Sequence, residues 1–149
     1  MDVTAELVAP CSPEVLFDLL ADLATYPEWL DIVARAVPAE GHPDDEGAAW
    51  SVDLRGRLGP LARSKRLRMV RTVRDAPREV RFERREHDGR RHSPWVLQAR
   101  VAEAADGSSE LTMHMHYGGG LAGPLVERLL AEEITNAAPR LTALVTPAS

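Results

Sequence analysis

At 149 residues, 44% hydrophobic and 28% charged, the chain is sized for one domain, 1–149, with a sizeable core. Its net charge of −5 argues against nucleic acid, and no apolar run approaches the roughly 20 residues that span a bilayer, so stable membrane insertion is not expected. The acidic opening Met1-Asp2-Val3-Thr4-Ala5-Glu6 lacks the basic and apolar regions of a secretory leader, and Cys11 is the single cysteine, so a reducing, cytoplasmic setting without an internal disulfide is expected.

Val3 to Ala9 alternates apolar and polar residues and reads as a strand that Pro10 stops. Ser12 is a good N-cap, Pro13 suits the first helical position, and Glu14 favours the positive end of the helix dipole. Val15, Leu16, Leu19, Leu20 and Leu23 supply an apolar stripe, and Pro27 is expected to end helical structure at or before Tyr26. Strands are predicted near 32–38, 48–56, 64–74, 79–87, 93–103 and 109–117. Between them lie Gly41-His42-Pro43-Asp44, Leu58-Gly59-Pro60, Asp75-Ala76-Pro77, Asp88-Gly89 and Asp106-Gly107, all turn chemistry. Such short connections predict an antiparallel meander. Gly118 to Val145 reads as one long amphipathic helix with Ala122, Val126, Leu129, Leu130, Ile134, Ala137, Leu141, Leu144 and Val145 on its stripe. Pro139 should kink that helix, and Thr146 to Ser149 should fray.

Alternation assigns faces. Trp50, Val52 and Leu54 share one side of a strand, as do Leu67, Met69, Arg71 and Val73; Val80, Phe82 and Arg84; Trp95, Leu97, Ala99 and Val101; and Leu111, Met113, Met115 and Tyr117. In a one-layer sheet these sides face the last helix. A cavity is therefore expected between sheet and helix, lined by Trp50, Met69, Trp95, Leu97, Met113, Met115, Leu129 and Ala137, with Tyr117 as a further lining residue. Arg71 and Arg84 fall in the inward phase. Either a bulge shifts the phase, or Arg84 snorkels at the rim, or both face the cavity and need a compensating charge. Glu133 is the carboxylate in the helix stripe and is the expected partner.

Residues 55 to 91 hold 14 of the 18 lysines and arginines but 5 of the 23 acidic residues. The segment is either the solvated face of successive strands or a surface for an anionic partner such as an acidic carrier protein. Gly118-Gly119-Gly120-Leu121-Ala122-Gly123 matches a dinucleotide fingerprint in form, but no second strand of a βαβ unit follows it. His114 and His116 share one strand face with no evident third ligand, so no metal site is expected. No P-loop, nucleophile elbow or Cys/His pair is present, and no cofactor is expected.

The segment Ala9-Pro10-Cys11-Ser12-Pro13-Glu14-Val15-Leu16-Phe17-Asp18-Leu19-Leu20-Ala21-Asp22, followed by Tyr26-Pro27-Glu28-Trp29-Leu30, resembles the polyketide cyclase/dehydrase and coenzyme Q-binding branch of the SRPBCC (START and Bet v 1-like) superfamily. The resemblance covers essentially the whole chain. It implies an α+β helix-grip fold: a curved antiparallel sheet of about seven strands around a long C-terminal helix, with two short helices after the first strand. It also implies an internal cavity for a hydrophobic, carbonyl-bearing small molecule. Within that branch, the aromatase/cyclase group places arginines on two neighbouring strands inside the pocket, and these fall on Arg71 and Arg84. Such catalytic arginines would hold polyketide carbonyls and stabilise enolate charge without metal or nucleotide. The pocket tyrosine of that group falls on Val33 and its helix polar residue on Ala137, next to Asn136; Tyr117 and Glu133 are the candidate substitutes. The rival expectation is a non-catalytic carrier of a lipid, quinone or similar ligand. An acidic acyl carrier protein is the expected partner for the 55–91 surface if the chain is a cyclase.

Overall fold

Val3, Ala5, Leu7 and Ala9 are buried while their neighbours are exposed, so strand β1 (Asp2–Ala9) turns one clean apolar side inward. The computed structural model describes residues 1–55, 65–119 and 124–146. Ser12 caps helix α1 (Pro13–Leu20), its Oγ accepting from the Val15 N–H at 3.4 Å. The helix buries Leu16, Phe17 and Leu20, whereas Val15, expected on the stripe, is exposed. A 3-10 helix follows over Leu23–Glu28, capped by Asp22, whose Oδ1 accepts from the Ala24 N–H at 3.0 Å.

Pro27 does not end helical structure at Tyr26 as expected; it lies inside the 3-10 helix. The backbone bonds of this turn pass around the missing donor, from Thr25 N to Asp22 O and from Trp29 N to Tyr26 O, both at 3.1 Å. The Tyr26 hydroxyl donates to the Leu20 carbonyl at 2.9 Å and pins the turn to the end of α1.

Six more strands follow: β2 (Val33–Pro38), β3 (Ala49–Leu54), β4 (Lys65–Asp75), β5 (Glu79–Arg84), β6 (Trp95–Glu103) and β7 (Ser109–Tyr117). All pair antiparallel in one sheet of order β1-β7-β6-β5-β4-β3-β2. Consecutive strands from β2 to β7 are neighbours, and β1 joins β7, with Asp2 opposite His116. The α1 and 3-10 segment therefore carries the chain from one sheet edge to the other. Register shifts at Val33/Arg35 and Arg71/Val73 mark irregularities on β2 and β4, the kind of device that bends and twists a sheet. The predicted strand ends at 56 and 64 and the Leu58-Gly59-Pro60 turn lie outside the described residues.

The expected single C-terminal helix is divided. Helix α2 (Pro124–Thr135) stops two residues before α3 (Ala138–Val145). Pro139 has no N–H for the Thr135 carbonyl, and tighter bonds flank the break, from Ala137 N to Ile134 O at 3.0 Å and from Arg140 N to Ala137 O at 3.1 Å. The kink is thus a change of helix. Leu130, Ile134, Ala137, Leu141 and Val145 are buried, and both helices pack against β1. Leu144 is exposed although periodicity put it on the stripe. Ala122, the end of the glycine motif and residues 147–149 lie outside the described residues. A curved seven-stranded antiparallel sheet around C-terminal helical structure, with short helices after the first strand, is the helix-grip fold.

Candidate functional site: an apolar cavity between the two limbs of the sheet

In sheet order, β2, β3 and β4 lie on one side of β5, and β6 and β7 on the other. Side chains from both limbs nevertheless wall one cavity of about 50 Å³. Val33, Val52, Leu54, Leu67 and Met69 come from the first limb; Trp95, Val96, Leu97 and Met115 come from the second. Leu23, Leu30 and Ile32 close it from the crossing segment. The wall side chains are aliphatic, thioether or indole, so the space selects for apolar matter.

Four expected lining residues, Met69, Trp95, Leu97 and Met115, meet at this cavity. Trp50 and Met113 are buried but do not line it; the Trp50 ring stands edge-on to Phe82 at 5.5 Å. Tyr117 packs against the Trp95 ring, centroids 4.6 Å apart, with the Lys65 Nζ 5.2 Å from the Tyr117 ring. Leu129 is half-buried on α2 and Ala137 is buried at the helix break, and neither lines this space. Among the described residues, this cavity is closed by the crossing segment and the two limbs. Leu30 and Ile32 carried only a weak signal, two apolar residues about Asp31 that show no period, whereas the resemblance places Val33 at a pocket position.

Arg71 extends from the inward side of β4 and donates from Nη1 to the Ala21 carbonyl at 2.8 Å, with its guanidinium carbon 5.6 Å from the Trp50 ring centroid. Burial lowers its pKa, the nearby Arg74 charge adds to that, and Asp22 opposes it. Arg84 sits opposite Met69 in the β4–β5 register, and its side chain is 12% exposed. Its guanidinium pairs with Glu86, Nε donating to Oε2 at 2.8 Å and Nη2 lying 2.7 Å from the same oxygen, while Nη1 donates to the Ser93 carbonyl at 3.3 Å. The expected pairing of either arginine with Glu133 is replaced by these partners. Glu133, half-buried on α2, makes no ion pair among the described residues.

Much of the basic segment is answered locally. Arg66 meets Asp53 at 2.7 Å, Arg68 meets Asp45 at 2.7 Å and Arg85 meets Glu46 at 2.9 Å. Those three carboxylates lie outside residues 55–91, on β3 and in the loop before it. Asp45 also takes His87 Nε2 at 2.9 Å, and the His42 ring stacks on His87 with centroids 3.7 Å apart. His42, Asp44 and His87 form the one convergent cation-ligand group among the described residues. Their stacked imidazoles are 9° from parallel, so their in-plane lone pairs do not meet on one ion. His114 and His116 both lie against Asp2 Oδ1, at 3.1 and 3.0 Å.

The family whose model is described as polyketide cyclase / dehydrase and lipid transport matches residues 1–146. The chain belongs to this family. With it comes membership of the START and Bet v 1-like helix-grip superfamily. The fold is similar to that of a START superfamily protein from Mycobacterium smegmatis, at 15% identity over 97% of this chain and 96% of that one, with a TM-score of 0.72. It is also similar to TTHA0849 from Thermus thermophilus, at 19% identity over 97% of each chain and a TM-score of 0.69. CV1439 from Chromobacterium violaceum superposes with a TM-score of 0.66 at 15% identity, over 99% and 98% of the two chains. At these identities the likeness concerns the fold. No curated protein matches this sequence. A helix-grip fold with a curved sheet around an apolar space suits the binding of hydrophobic ligands.

Proposed function

We propose that the protein binds a hydrophobic, carbonyl-bearing small molecule in the cavity between the limbs of its sheet, and acts as a carrier or chaperone for it. The observation that carries this reading is the apolar wall contributed by both limbs and the crossing segment. At about 50 Å³ the empty lumen is far below the roughly 300–1,000 Å³ of a drug-sized site, so the pocket takes the buried end of a ligand first and widens for the rest. Native mass spectrometry of protein purified without detergent tests the reading. A co-purifying apolar molecule displaced by a competing hydrophobe supports it, and a bare polypeptide that binds no hydrophobic probe overturns it.

A second reading, a polyketide cyclase or aromatase, is favoured by one observation. The Arg71 guanidinium lies on the inward side with a backbone carbonyl as its hydrogen-bond partner and no carboxylate within ion-pair distance among the described residues. Its remaining N–H groups are suited to ligand carbonyls and developing enolate charge. In that reading Arg84 is the second electrostatic group, and the basic 55–91 surface receives an acidic acyl carrier protein. The discriminating assay is product formation from a carrier-bound poly-β-ketone with and without the protein; identical product patterns leave the carrier.

A further inference from the structure

Trp95 is 3% exposed, and its indole Nε1–H is buried without a hydrogen-bond partner. Such an orphan donor is destabilising, and native proteins hold few of them. Trp29 Nε1 and Arg81 Nε are also orphaned, but neither residue lines the cavity, whereas Trp95 does. The Trp95 ring is held in place: it sits opposite Tyr117 in the β6–β7 register, and the two rings pack at 4.6 Å. Among the described residues, no other cavity-lining side chain bears a hydrogen-bonding nitrogen or oxygen. A buried water needs two to four polar partners, so a lone donor beside an apolar space holds one poorly. A ligand oxygen needs only the one donor.

We infer that the Trp95 indole N–H is the polar handle of this cavity, donating to one carbonyl-type oxygen at the buried end of an otherwise apolar ligand. The inference rests on the ligand-binding reading and adds its recognition chemistry: a ketone, ester or quinone oxygen is accepted, and its hydrocarbon counterpart leaves the donor unpaired. The donor is already unpaired in the empty cavity, so discrimination comes from the hydrogen bond that only the oxygen-bearing ligand supplies.

Acetophenone and ethylbenzene form a suitable pair of probes, alike in shape and differing in the oxygen. Their dissociation constants are measured for the full chain and for Trp95→Phe, which keeps an aromatic ring and removes the donor. The ratio of ketone to hydrocarbon affinity should fall about tenfold in the variant. In the ¹⁵N-labelled native chain, the Trp95 Nε1–H resonance should move on adding acetophenone and stay in place with ethylbenzene, a measurement that does not depend on the variant folding. If both probes bind and the ratio is unchanged, or the resonance moves equally with both, this inference falls and the ligand-binding reading stands. If neither probe binds, both fall together.

Discussion

Arg71 of β4 donates from Nη1 to the carbonyl of Ala21, the residue that closes α1, at 2.8 Å. One guanidinium thereby ties the middle of the sheet to the segment that crosses it, and its carbon lies 5.6 Å from the Trp50 ring. Arg71→Ala leaves a buried carbonyl unpaired and should cost about 1–3 kcal/mol of stability, read from the denaturant midpoint. In a carrier, hydrophobe affinity at a temperature where the variant is folded should change less than about threefold. In a cyclase, turnover should fall about 10²–10³-fold with little change in affinity.

The Asp45 side chain is 3% exposed, and Arg68 supplies two hydrogen bonds to it, at 2.7 and 2.8 Å. Arg68 holds the carboxyl well below the usual carboxylate range, with His87 and the His42 backbone N–H adding to the effect against the cost of burial. The folded-state pKa is below the unfolded one, so the stabilisation is fully present above about pH 4 and is lost as pH falls below that. Asp45→Asn should cost about 2–4 kcal/mol at pH 7 and flatten the acid limb of the stability curve, measured by urea unfolding between pH 7 and pH 3. An unchanged acid limb would assign acid sensitivity to other carboxylates.

Val33→Phe places a ring where the first limb borders the cavity. Because the space is already present, the variant should fold with a thermal midpoint within about 5 °C of the native chain, while binding of small hydrophobes falls at least tenfold. Retained binding would move the ligand site elsewhere.

Gly47 lies before β3, where an added Cβ would collide with the Arg71 carbonyl oxygen, a backbone atom. Gly47→Ala therefore has to shift the strand entry and weaken the bond from Arg71 N to Ala48 O, now 2.9 Å. A loss of about 1–3 kcal/mol is expected in equilibrium unfolding.

The strand phases were legible because alternation is a local property. Trp50, Val52 and Leu54 all turned inward, as did Leu111, Met113, Met115 and Tyr117. Arg71 and Arg84 were legible as breaks in that pattern. Their partners were not: a backbone carbonyl such as that of Ala21 has no signature in sequence, and Glu86 lies just past the end of β5. The cavity was only half legible. Met69, Trp95, Leu97 and Met115 followed from phase, but curvature decides which strands face one another across the bend, and the crossing segment supplied walls that periodicity does not report. Pro139 was legible as a breaker, whereas the full division into two helices depends on how Ala137 is buried at the turn.

The antiparallel pairing of β1 with β7 fixes the order in which the protein comes into being. Residues 2–9 find their partners among residues 109–116, so β1 has no neighbour in the sheet until β7 is synthesised. Closing a loop of that length costs more entropy than the short hairpins between β2 and β7, which form first on those grounds. Helices α2 and α3 then pack on β1. The apolar side of β1 is thus the last to be covered as the chain leaves the ribosome, and it is the surface a chaperone would have reason to hold.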